Sequence, residues 1–196
     1  MHMPDDDTFM ENIPAVRDQV RTLRQWAPKA TFRVAPIRLD SPYPHPGPDP
    51  RCSQPFAAAW AGRMVKYLAL GGVDEAGFAG MPIAKAILDR LGQHAGQPVH
   101  ATGVGAHAPV DALAVDAGDR RLLWVINTTD SPRPVRVEGI GPDGRVDATW
   151  LDSPSDAAAP RAGEPEADVP AAAKGRAMEF VLRPYGMREL SVPTRR

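Results

Sequence analysis

The sequence predicts an α/β first half joined to an all-β second half that forms a small antiparallel β-sandwich. Three observations carry this reading. Before residue 92, apolar residues recur at helical spacing in three stretches, with short apolar runs between them. The character changes across 92–109. From Val110 onward, short apolar or alternating runs are separated by Gly, Asp and Pro turn signals.

The elements follow in order. Asn12 can cap a helix with Pro14 in its first turn, where a missing N–H costs nothing. Ile13, Val16, Val20, Leu23 and Ala27 continue it, and Pro28 ends it. The run 31–39 reads as a strand. Residues 40–55 carry six prolines, from Pro42 to Pro55, and predict a long loop, a kind of segment that is often functional. A second helix over 56–70 places Phe56, Trp60, Met64 and Tyr67 near one face and stops at Gly71-Gly72. A short strand over 73–78 and a helix over 82–91 complete the first half. In the second half, 112–115 and 122–126 flank a Gly118-Asp119 hairpin turn. Further strands are expected at 135–137 and 146–151. Strands 178–182 and 187–192 are expected to close a final hairpin across Pro184-Tyr185-Gly186. Residues 152–175, rich in Ala, Pro, Asp and Glu, read as a mobile loop.

Composition excludes several functions. The net charge is −1; residues 1–100 hold 11 basic and 10 acidic side chains and residues 101–196 hold 12 and 14, so neither half can neutralise many phosphates and no nucleic-acid partner is expected. No run of about 18 apolar residues occurs, so no membrane partner is expected. The acidic start lacks the apolar core of a signal peptide, and the single cysteine, Cys52, fits a reducing compartment, so the expected location is cytoplasmic. His45, Cys52, His94, His100 and His107 lack metal-ligand spacing, Gly103-Val104-Gly105 lacks the context of a dinucleotide loop, and Gly-x-Ser-x-Gly is absent. No cofactor and no metal are expected.

Two parallel strands with three helices leave most apolar faces without a partner. Two readings are open: a small α/β domain completed by the β-half or a partner, or part of a larger barrel, which takes roughly 250 residues in full. His2-Met3-Pro4-Asp5-Asp6 before a helix resembles the end of a late barrel strand. Val34-Ala35-Pro36-Ile37-Arg38-Leu39 is similar to the next strand, and Asp49-Pro50-Arg51 with 56–60 and 65–73 to the following helix and the entry to the last strand. In the β-half, 124–129 and 182–186 match in kind. The ordered set resembles the C-terminal part of D-apionate lactonase and its glycoside-hydrolase-like relatives, over roughly 2–151 and 177–192.

That resemblance implies a partial (β/α)8 barrel over 1–95 and a C-terminal β-sandwich over 100–196. The chain would then begin inside the barrel, lacking about five β/α units. It also implies a carbohydrate-active hydrolase that opens a small sugar-acid lactone with water, with the fragment inactive alone. Alternatives are a fragment of a barrel glycosidase and a non-catalytic β-sandwich module that binds or braces another molecule. Lactone hydrolysis needs an activated water and donors for the developing oxyanion. His2, Asp5, Asp6 and Arg38 are the candidate catalytic residues, at the presumed C-terminal ends of barrel strands. Asp49 and Arg51 are candidate substrate-binding residues. The competing account for the aspartates is helix capping, and for Arg38 a surface ion pair. Between Glu11 and Glu75 there is no Glu to serve a two-carboxylate glycosidase. The resemblance further implies an acid after the last barrel strand, whereas 76–82 carries none and Asp74 and Glu75 come early. Trp124 and Trp150 could form a sugar-stacking face or pack a core. The faces of 13–27 and 56–70 are expected to be exposed, with self-association through barrel edges.

Overall fold

The computed structural model describes residues 5–39, 49–100, 102, 108–138, 147–150 (backbone only) and 177–194. His2, Asp40, His45, His107, the 141–144 turn, the side chain of Trp150 and the loop expected at 152–175 lie outside the described residues.

Helix α1 (Asp6–Trp26) begins seven residues earlier than its sequence signal suggested. Asp5, in extended backbone conformation, accepts a hydrogen bond from the Thr8 amide at 2.8 Å, and Asp6 and Asp7 follow in the first turn. Asn12 is not the cap; its side chain donates to the Thr8 carbonyl one turn back. Pro14 therefore lies inside the helix. Having no N–H, it cannot bond the Met10 carbonyl. Arg63 takes that place, with Nη1 donating to Met10 O at 2.9 Å.

Strand β1 (Arg33–Ile37), helix α2 (Pro55–Gly71) and strand β2 (Glu75–Phe78) form a β-α-β unit. The two strands are parallel, with Arg33 opposite Glu75 and Ile37 opposite Phe78. A 3-10 turn over Pro50–Ser53 leads into α2. Gly72, at φ +88°, ends α2 in the left-handed conformation, with its amide and that of Val73 returning to Ala69 and Leu68. Helix α3 (Lys85–Gly92) follows a second 3-10 turn over Pro82–Ala84.

The second half holds strands β3 (Val99–His100), β4 (Val110–Ala117), β5 (Arg120–Asn127), β6 (Arg133–Glu138), β7 (Asp147–Trp150), β8 (Ala177–Leu182) and β9 (Met187–Pro193). They form an antiparallel five-stranded sheet in the order β3-β4-β5-β9-β7 and a β6-β8 pair. Gly118, at φ +71°, makes the expected β4–β5 turn. The expected final hairpin does not form. β8 pairs with β6 and β9 lies between β5 and β7, so the turn through Tyr185 carries the chain from one sheet to the other. Alternation explains why: Met178, Phe180 and Leu182 of β8 bury one face against Val125 and Leu190 of the other sheet.

One hydrophobic cluster runs across both halves. It holds Met10 and Ile13 of α1, most of α2, Ile87 and Leu91 of α3, and Leu113, Trp124, Ile126 and Met187 of the β-half. The exposed face expected for 56–70 is absent: α2 is buried on nearly all sides, because α1, α3 and the five-stranded sheet all pack on it. On α1 the exposed apolar surface narrows to Leu23 and Trp26, the latter 79% exposed. No helix of the described residues is long and apolar enough to cross a membrane.

Candidate functional site

The start of α1, the 3-10 turn before α2 and the β8–β9 turn converge. Asp49 caps its turn through the Arg51 amide at 2.9 Å and clasps the Arg51 guanidinium with both oxygens, at 2.9 and 2.5 Å. Both residues are buried. Arg51 Nη1 extends to Asp6 Oδ1 at 3.4 Å, and the guanidinium lies 4.1 Å from the centre of the Phe9 ring. Tyr185 Oη donates to the other Asp6 oxygen, Oδ2, at 2.9 Å. Its ring meets Phe56, at the start of α2, edge to face with centroids 5.3 Å apart.

The electrostatics follow from this geometry. The Asp49 carboxylate, then that of Asp6, raises the Arg51 pKa above its ordinary value, so this arginine is a fixed cation. Burial, then the Asp6 carboxylate, pushes the Tyr185 phenol well above the usual tyrosine range. Tyr185 therefore stays a hydrogen-bond donor. Asp5 is held below the usual carboxylate range by its hydrogen bonds from Thr8. The cluster presents one half-exposed carboxylate, Asp6, oriented by a cation and a phenol, while Asp49 is buried against Arg51.

Of the expected site residues, Asp6, Asp49 and Arg51 meet in this cluster. Asp5 sits beside them, occupied as the cap. Arg38 is exposed just beyond β1. Asp74 and Glu75 lie at the other end of the α/β half. Asp74 accepts from the Phe32 amide and from Arg24 in the last turn of α1, 18 residues or roughly 27 Å of helix from Asp6. Trp124 is a core residue, 1% exposed, whose indole N–H donates to Glu189. Among the described residues no three His, Cys, Asp or Glu side chains could hold a metal ion.

Sequence reasoning missed Tyr185, which was read only as part of a hairpin turn. It also missed a buried trio, Arg63, Lys66 and Asp111. Asp111 of β4 accepts from Arg63 Nε at 2.9 Å and from Lys66 Nζ, and all three are nearly inaccessible. The positions of Arg63 and Lys66 at helical spacing carry no signal for a carboxylate 45 to 48 residues away. A cavity of about 1040 Å³ lies alongside β2, between α2, α3 and the β-half, with Phe78, His94 and Trp124 on its wall.

Residues 107–190 match the model of a family described as "D-apionate lactonase, C-terminal immunoglobulin-like domain". Comparison with curated sequences gives no match. Among solved structures, 98% of the chain superimposes on 40% of CelM2, a bifunctional glucanase-xylanase from a metagenome library, with a TM-score of 0.64 and 13% identity. A GH30 endoxylanase from Clostridium papyrosolvens gives 0.60 at 12% identity over 91% of this chain and 46% of that one. A GH51 arabinofuranosidase from Xanthomonas axonopodis pv. citri gives 0.54 at 14% over 96% and 48%. At these identities the likeness is one of fold. The chain spans two-fifths to about half the length of these structures. The resemblance read from the sequence, to a D-apionate lactonase and glycoside-hydrolase-like chain, is matched by both comparisons.

Proposed function

We propose that this chain is the C-terminal part of a carbohydrate-active hydrolase in which the α/β half contributes the last units of a (β/α)8 barrel and the two β-sheets form the following sandwich. The complete enzyme would open a sugar-acid lactone with water. The family match over 107–190 carries this reading, because it ties the β-half to a lactonase rather than to a glycosidase. The fold likeness to glycoside hydrolases, which spans both halves, supports the barrel.

In this reading Asp6 is the residue that takes part in chemistry. It stands at the start of a helix, at the end of the α/β half where barrel enzymes build their sites. As a half-exposed carboxylate it would accept a proton from the water that attacks the lactone carbonyl. Asp49 and Arg51 would hold it in place. An arginine such as Arg38, exposed on the neighbouring loop, would donate to the developing oxyanion. Alone, the chain would lack most of this surface and be inactive; the complete enzyme would act in a reducing, cytoplasmic setting with no metal or cofactor.

The test is acid release from a panel of aldonolactones. It is run on this chain and on the protein translated in frame from upstream of Met1. Hydrolysis by the longer protein and none by this chain is expected. A longer protein that cleaves aryl glycosides and leaves every lactone intact would sink the lactonase reading.

A further inference from the structure

One side chain of the β-half enters the cluster at the start of α1. Tyr185 is 179 residues from the carboxylate it binds, and it is the only described non-glycine residue with positive φ, at +53°. That conformation is uncommon for a bulky side chain and persists where the surroundings over-determine it. Here they do. The Tyr185 amide donates to Thr129 O at 3.0 Å, the Gly186 amide returns to Arg183 O at 2.9 Å, and the Asn127 amide donates to Gly186 O at 2.9 Å. Asn127 Nδ2 holds the Arg183 and Ser131 carbonyls, both at 2.7 Å. Phe56 blocks the ring on one side. The phenol is thus presented in one direction, to Asp6 Oδ2, while Arg51 faces Oδ1.

We propose that Tyr185 is a positioning residue for Asp6, so that the site at the start of α1 is composite and the β-half sets the orientation of its carboxylate. This rests on the role given to Asp6 above. A tyrosine that merely filled space would not need its hydroxyl, and its turn would not need to be pinned by four hydrogen bonds. The charged groups that act on the phenol are Asp6 and Asp7 of α1 and Asp130 of the β5–β6 turn. Arg51 and, behind it, Asp49 complete the cluster.

Two measurements test it. In this chain, phenolate absorbance is followed against pH in the parent, Asp6→Asn and Asp7→Asn proteins, each with and without Tyr185→Phe, with circular dichroism to confirm the fold. Tyr185→Phe keeps the ring against Phe56, and the parent-minus-variant difference isolates the Tyr185 phenol. It should ionise well above ordinary tyrosine and move down in Asp6→Asn, with a smaller shift in Asp7→Asn. A phenol that ionises in the ordinary range, or that ignores Asp6→Asn, overturns the proposal whatever the longer protein does. In the longer protein, Tyr185→Phe should lower kcat about tenfold or more, the size of one lost charge-assisted hydrogen bond, with KM within about twofold. Unchanged kcat in an active enzyme also overturns it. If no lactone is hydrolysed, the substrate reading fails and the titration alone decides the Asp6–Tyr185 pairing.

Discussion

Asp5 shows how one side chain sets the boundary of an element. Its carboxylate satisfies the Thr8 amide, which would otherwise be an orphan donor of the first turn. Capping at Asp5 instead of Asn12 extends α1 by seven residues, far enough to bring Asp6 to Arg51 and Tyr185. The carboxyl group is held below its unfolded value by this bond. A depressed folded pKa means that its contribution is present above the unfolded carboxylate range and is lost as pH falls through the folded value. Asp5→Ala should therefore raise amide exchange in the first turn of α1 near neutral pH, and Asp5→Asn should not, because asparagine caps equally well. Between neutral pH and the acid side of the carboxylate range, first-turn protection should fall in the parent more than in Asp5→Asn. Equal exchange in all three proteins near neutral pH would show that tertiary contacts, and not the cap, fix the start of α1.

At the scale of elements, α1 and α2 approach closely where Gly71 lies. A Cβ at this position would sit 3.0 Å from Val20 Cβ and 3.3 Å from the Arg17 carbonyl, which is helix backbone and cannot swing aside. Alanine improves helix propensity by up to about 1 kcal/mol, less at a helix end. Overpacking costs about 1–3 kcal/mol, so overpacking wins. Gly71→Ala should lower the denaturant midpoint with an unchanged slope. Gly62→Ala should cost less, because the atom it meets first is the flexible tip of Met187. The sequence made these elements legible through period. Ile13, Val16 and Val20 marked α1, the glycine pair marked the end of α2, and Gly118-Asp119 marked the β4–β5 turn. It also brought Asp6, Asp49 and Arg51 forward as site candidates, through their places in the stretches that resemble a late barrel-strand end and the entry to the following helix. What it hid depends on distance along the chain. The β8–β9 sheet switch hangs on which face of β8 meets β5, and local turn residues say nothing of that. Tyr185 reads as a turn residue until Asp6 is brought beside it.

Across the whole molecule, the joint between the halves is a hydrophobic cluster with a charged centre. Arg63 is turned inward by the carbonyl that Pro14 leaves open on α1, and Asp111 of β4 accepts from it and from Lys66. Neither half could bury its share of these charges alone, because removing one partner from a buried ion pair costs about 3–5 kcal/mol. The cluster of apolar residues is continuous across the same joint, from Ile13 through Phe56 to Trp124 and Ile126. The two halves should accordingly unfold together. Asp111→Asn removes the one carboxylate charge that Arg63 and Lys66 share. It should remove about 3–5 kcal/mol of stability from the chain as a whole. Amide exchange separates the possibilities, since α2 and β5 report on different halves. Loss of protection in both elements, by the same free energy and in one transition, is expected. Loss confined to β5, with α2 unaffected, would mean that the β-half is an independent module resting on the helices, and that Tyr185 reaches Asp6 across a movable joint.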